Sequence, residues 1–221
     1  MDLFDLIGPV MVGPSSSHTA GAARIGQTAR LLLGEEVVAA DVGLHGSFAK
    51  TYHGHGTDRA IAAGLMGMAV DDTRMRHSLE LAEERGIRIA FHPTQIRDAH
   101  PNTVRLSLYG EDGRTLTMEA ASVGGGSIRV TKLDGMNVDF SGKENTLIIH
   151  HRDTPGEIAH VTGLLAEENM NIGAMQVYRR GTGGDALMVI ELDGKPSAKV
   201  IAAIERTEGV SDVSFLERRD G

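Results

Sequence analysis

The sequence predicts an α/β (α+β) protein of two unequal domains, and three observations predict it. Over the first 140 residues the apolar spacing switches repeatedly between the 3.6-residue period of helices and the two-residue period of strands. A polar stretch at 139–145 (DFSGKEN) then interrupts the pattern as a linker. Beyond it the elements run β-α-β-β-α-β, the ferredoxin-like order, within about 70 residues.

In the first domain, 1–140, the earliest signal is Val12-Gly13-Pro14-Ser15-Ser16-Ser17-His18-Thr19-Ala20-Gly21. Ser15, Ser16 or Ser17 can cap a helix start, because a short side-chain oxygen accepts from the free N–H groups of a first turn. A helix follows at 20–33 and Gly34 stops it. A strand is predicted at 37–44, helices at 58–69 and 73–85, and strands at 87–92 and 103–109. Gly110 to Gly113 reads as a hairpin turn into a strand at 116–123, and Gly124-Gly125-Gly126 separates that strand from one at 128–130. In the second domain, 146–218, strands are predicted at 146–151, 172–179, 186–192 and 210–216. Helices are predicted at 157–169 and 196–206.

The 221 residues are 41% hydrophobic, enough for one large or two small cores. Thirty acidic against 22 basic residues give a formal net charge of -8, which argues against the basic face that nucleic acids and anionic membranes require. Apolar runs are too short to span a bilayer, and the opening residues lack the basic and apolar regions of a signal peptide. A soluble cytoplasmic protein is expected. Cysteine is absent, which removes a thiolate nucleophile, a disulfide and any Cys-ligated cluster from this chain's own repertoire.

Histidine, with ten residues, is the prominent functional type. His18 follows three hydroxyls at a helix start, where free N–H groups and the helix dipole favour a carboxylate or phosphate. An ordinary cap needs only one of those hydroxyls. A second cluster, 43–58, places His45, His53 and His55 among glycines. In a strand His53 and His55 would share one face, a spacing some metal sites use, but acid/base work is favoured over a metal. The bland alternative is a glycine-rich turn with solvated histidines. Ser47-x-x-Lys50 matches a serine acyl-enzyme tetrad without its partner motifs, and Lys50 could carry a pyridoxal Schiff base, though no phosphate-binding glycine loop accompanies it. His100-Pro101-Asn102-Thr103 reads as a polar surface corner, and Gly124 to Gly126 as either an anion nest or a strand bend.

Taken together, Gly-Pro-Ser-Ser-Ser-His-Thr at 13–19, Gly-His-Gly-Thr-Asp at 54–58 and the triglycine at 124–126 resemble the β chain of bacterial iron–sulfur L-serine dehydratase, and residues 146–216 resemble an ACT domain. The resemblance implies a two-chain lyase that converts L-serine to pyruvate and ammonia. Its [4Fe–4S] cluster would be carried by cysteines of a partner α chain. It implies catalytic roles for His55, His18 and His100, with His55 as base. Ser15, Ser16, Ser17, Thr19, Gly124 and Gly125 would bind the substrate, and this chain would ligate no metal. The ACT unit would pair with a second copy and could hold an amino-acid effector at Asp153, Gly156, Asn171 and Ile172. The competing class is a non-catalytic amino-acid sensor, since the first domain also resembles the allosteric substrate-binding domain of some phosphoglycerate dehydrogenases.

Overall fold

The computed structural model describes residues 11–13 and 15–218. The opening residues 1–10, on which the leader argument rests, and Pro14 lie outside them. The chain divides between Ser141 and Gly142 into two compact units.

The first unit begins with a π-helical turn, Ser16–Gly21, that runs directly into α1 (Ala22–Leu33). Strand β1 (Val37–Leu44), helices α2 (Gly46–His55) and α3 (Thr57–Leu65), a 3₁₀ turn (Thr73–His77) with α4 (Ser78–Glu84), and β2 (Arg88–Pro93) follow. Four further strands complete it: β3 (Thr103–Gly110), β4 (Thr115–Gly124), β5 (Ser127–Leu133) and β6 (Met136–Phe140). They form one six-stranded sheet in the order β2-β1-β3-β4-β5-β6. Only the β1–β2 pair is parallel, as a connection through three helices allows.

Alternation along the strands sets the core. Leu106 lies opposite Met118, and Val104 opposite Ala120; all four are buried. Helix α1 buries Ala22, Ala23, Ile25, Ala29, Leu32 and Leu33 between that sheet and α3, with each large aliphatic side chain contributing about 1.5–3 kcal/mol. The two helices touch backbone to backbone. A Cβ on Gly64 would stand 2.1 Å from the Ala23 carbonyl oxygen, and one on Gly26 2.5 Å from that of Ile61. Gly34 ends α1 in the left-handed conformation, φ 76°.

Three segments differ from the sequence reading. The glycine-rich stretch 43–58 is mostly helix. Phe48, fully buried, anchors α2, the Thr51 hydroxyl donates to the Ser47 carbonyl at 2.9 Å, and left-handed Gly56 closes the turn. Burial of one aromatic ring outweighs the low helix propensity of Gly46 and Gly54. Residues two apart on a helix diverge by about 200°, so His53 and His55 do not share a face. The helix expected at 73–85 starts as a 3₁₀ turn, with the Asp72 carboxylate accepting from the Arg74 N–H at 2.9 Å. Finally, Asp139 and Phe140 belong to β6 and Asn145 to β7, which leaves only 141–144 between strands. Phe140 is buried and Asp139 pairs with Arg129, neither of which the polar composition of 139–145 reveals.

The second unit consists of β7 (Asn145–Arg152), α5 (Glu157–Glu167), β8 (Ile172–Arg179), β9 (Asp185–Leu192), α6 (Ala198–Glu205) and β10 (Val210–Leu216). Its antiparallel sheet has the order β10-β7-β9-β8, the ferredoxin-like arrangement expected. Leu147 and Ile149 of β7 meet Met188 and Ile190 of β9, Val161 and Leu165 of α5, and Val200 and Ile204 of α6 in one core. The Ser197 hydroxyl caps α6 by accepting from the Val200 N–H at 3.2 Å. Among the described residues no helix is long and apolar enough to cross a membrane.

Candidate active site

His18 is the centre of the first unit's polar chemistry. It lies in the π turn, a rare geometry often found at functional sites. Ser15 caps that turn: its hydroxyl accepts from the His18 N–H at 3.2 Å and lies 3.4 Å from the His18 Nδ1. On the other side, His18 Nε2 and the Ser47 Oγ share a hydrogen bond of 3.1 Å. Both ring nitrogens thus face hydroxyls, which can donate or accept and so suit either neutral tautomer. The ring packs edge-on to Phe48, centroids 5.3 Å apart, and lies 5.0 Å from the ring of His55. Burial, and then the neighbouring His55, hold the His18 pKa below 6.5.

His55 is exposed, and its ring nitrogens make no hydrogen bond among the described residues. The pair therefore combines a fixed, predominantly neutral imidazole with an open one. His53, on the other side of α2, donates from Nδ1 to the buried carboxylate of Asp58, 3.1 Å away. Asp58 also accepts from the Arg59 N–H at 2.8 Å, although Gly56, and not Thr57 or Asp58, is the cap of α3, which has no side-chain cap bond.

Thr19 is buried, and its hydroxyl has no partner among the described residues. The Ser16 and Ser17 side chains sit half-exposed at the start of the turn. Gly124 and Gly125 lie in the β4–β5 turn with φ of 107° and 58°. That turn is beside the same helix start: a Cβ on Gly21 would fall 2.0 Å from the Ser122 hydroxyl, and Arg24 of α1 donates to the Gly126 carbonyl at 3.1 Å.

His100 is not brought into ring contact with His18 or His55. Its Nδ1 accepts from the Asn102 N–H at 3.1 Å, and its side chain lines a cavity of about 440 Å³ with Arg97, Glu119, Arg129 and Thr131. Glu119 and Ala121 alternate with the helix-facing Met118, Ala120 and Ser122, so this cavity opens on the opposite face of the sheet. The corner is nevertheless tied to the site through its backbone. Pro101 O accepts from the Ser47 N–H at 2.7 Å, and Asn102 O from the Ser122 N–H at 3.0 Å.

Sequence reasoning missed Ser47 as the partner of His18, Asp58 as the partner of His53, and Arg24. Spacing carries no signal for the first, because 29 residues separate His18 from Ser47. The Asp58 signal was present, five residues from His53, but only a helical reading of 43–58 places the two together.

In the second unit the effector residues fall at two ends of the sheet. Asp153 follows β7, where its carboxylate accepts from Arg179 at 3.1 Å and from the Gly183 N–H at 3.2 Å. Those two donors hold its carboxyl below the usual range. Gly156, φ 101°, starts α5 at the same end. Asn171 and Ile172 open β8 at the other end, where the Asn171 amide donates to Asp193 at 2.6 Å. β7 and β8 run the same way with β9 between them, so within one copy the two places lie at opposite ends of the sheet.

Residues 1–85 match the serine dehydratase beta chain family and residues 145–209 the ACT domain family. A probable L-serine dehydratase beta chain of Bacillus subtilis is 42% identical over 214 residues, 97% of each chain. The L-serine dehydratase beta chain of Peptoniphilus asaccharolyticus is 33% identical, again over 97% of each. D-3-phosphoglycerate dehydrogenase of Bacillus subtilis is 26% identical over 89% of this chain and 37% of its own length. End-to-end similarity at this level, over a fold that carries the Ser15–His18 turn beside His55 and closes with an ACT unit, leaves one conclusion: the chain belongs to the beta-chain family of the L-serine dehydratases.

Proposed function

We propose that this chain is the β subunit of a two-chain, cytoplasmic L-serine dehydratase that converts L-serine to pyruvate and ammonia. It acts only with a cysteine-bearing α chain. The observation that carries the reading is the His18–Ser47–His55 group at the start of a helix, within a chain whose relatives are named beta chains.

A [4Fe–4S] cluster is held chiefly by cysteine thiolates, and this chain has none. Among the described residues no three His, Asp or Glu side chains gather as a metal site. The chain's own residues do not fit the cluster, which we assign to the α chain. What this chain supplies is a base and an anchor. The N–H groups and hydroxyls of Ser15, Ser16 and Ser17, with Thr19, Gly124 and Gly125, hold the substrate carboxylate where the helix dipole favours negative charge. His55, exposed and with its ring nitrogens unbonded among the described residues, takes the α-proton. That proton is weakly acidic, so a positioned base contributes about 10²–10⁴-fold. His18, held neutral by burial, orients the substrate through Ser47. His100 acts through its loop, which fixes the backbone of Ser47. The β-hydroxyl departs with a proton as water and leaves aminoacrylate, which tautomerises to an imine; the imine takes up one water and releases pyruvate and ammonia.

Residues 1–140 form the substrate domain in this reading. Residues 146–218 form the ACT domain, which pairs two copies and brings Asp153 and Gly156 of one to Asn171 and Ile172 of the other. A second reading, a non-catalytic amino-acid sensor, is favoured by the similarity to phosphoglycerate dehydrogenase. Anaerobic mixing with an α chain separates the two. The dehydratase reading expects pyruvate from the mixture and none from this chain alone. A mixture in which the α chain turns over serine equally well without this chain supports the sensor.

A further inference from the structure

The β4–β5 turn leaves backbone donors and a cation unanswered. Gly124, Gly125 and Gly126 all have positive φ, at 107°, 58° and 76°. The N–H groups of Gly125 and Gly126 have no partner among the described residues, although Gly126 is buried. A buried N–H without a partner is rare, because its lost hydration is not replaced. Arg24 reaches the same turn from α1. One arm of its guanidinium donates to Gly126 O at 3.1 Å, and no carboxylate pairs with it among the described residues. Desolvation alone lowers its pKa, the sign of a half-buried cation without a counter-charge. Ser122, two residues before the turn and three residues along the α1 face from Arg24 through its contact with Gly21, is fully buried with an unpartnered hydroxyl.

We infer that Arg24 and the Gly125–Gly126 N–H groups form a carboxylate subsite that takes the α-carboxylate of the amino-acid substrate. The subsite rests on the substrate-binding reading above and adds Arg24 to it as a specificity residue. A guanidinium can grip a carboxylate with two parallel N–H donors, and adjacent backbone N–H groups of a positive-φ turn converge on the same anion. Removing the carboxylate from the ligand should therefore remove its hold here.

The test uses the isolated full-length chain and follows the Gly125 and Gly126 amide resonances. L-Serine and acetate should shift both, whereas L-serinamide, which lacks the carboxylate, should shift neither. Arg24→Gln should weaken the L-serine response about tenfold or more, and Arg24→Lys should recover part of it. In the reconstituted enzyme Arg24→Gln should raise KM for L-serine by a similar factor with kcat changed less than about twofold. Equal shifts by L-serine and L-serinamide, or an undiminished response in Arg24→Gln, would overturn the subsite. Amide shifts as expected with no turnover by any mixture would leave the subsite standing and reject the dehydratase reading instead.

Discussion

Gly64→Ala adds one methyl group at the point where α3 meets α1, and the structure fixes both the sign and the size of its effect. The new Cβ would lie 2.1 Å from the Ala23 carbonyl oxygen, more than 1 Å short of ordinary contact, and 2.8 Å from the Gln27 nitrogen, which is also too close. Both obstacles are backbone, so neither can swing aside. Overpacking of this kind costs about 1–3 kcal/mol, and with main chain on the receiving side the upper end applies. Alanine's better helix propensity returns about 1 kcal/mol. The net expectation is a loss of about 2 kcal/mol, or roughly 30-fold in an opening equilibrium. Hydrogen exchange of α1 amides reads this directly and ignores the second unit. Gly54→Ala is the control: nothing lies within 4 Å of its Cβ, so the same change inside α2 should be neutral or stabilising by up to about 1 kcal/mol. The displaced α3 should also draw the end of α2, and His55 with it, away from His18. Unchanged α1 exchange in Gly64→Ala would refute the close-packed helix pair.

His55→Ala should raise the His18 pKa toward 6.5, since it removes the second of the two causes that lower it; a proton titration of the His18 ring that stays fixed or falls would count against the pairing. His18 also links stability to pH. Its folded pKa is depressed, so its contribution is present above 6.5 and is lost as pH falls through the folded value. His92, raised by its bond to Asp41, has the opposite sign but is exposed and screened. Urea midpoints of wild type between pH 7.5 and 5 should therefore fall more steeply than those of His18→Gln, and identical slopes would contradict the assignment. Deleting residues 145–221 should reduce the sedimenting mass per copy beyond the loss of the segment itself, by abolishing ACT pairing, while leaving the α-chain contact in place. Retention of the full oligomeric order would show that pairing lies elsewhere.

Elements with strong periodicity were legible. The second unit reads strand by strand because 146–151 and 186–192 are short, continuous apolar runs bounded by polar and turn residues, and Ile158, Val161, Leu164 and Leu165 make an apolar helical stripe between them. Helix α2 did not read, since its two glycines and scattered imidazoles hide a single deciding contact, the burial of Phe48. The Ser15 cap and the accessible His55 followed from local chemistry. Ser47 and Arg24 depend on where α2 and β5 return to α1, and no residue near either one encodes that return. His100 shows the converse. Its motif marks a corner that contacts the site, yet its ring points to the other face of the sheet.

The central claim is that His55 performs chemistry at a site shared with the α chain. The rate of pyruvate formation at saturating L-serine, measured anaerobically for the complex carrying His55→Ala, tests it most directly. The account predicts a kcat lowered by about 10²-fold or more, with the complex intact by mass and the rate unrestored by further serine. A kcat equal to wild type, with only KM or effector sensitivity altered, would contradict it and place His55 in binding or regulation.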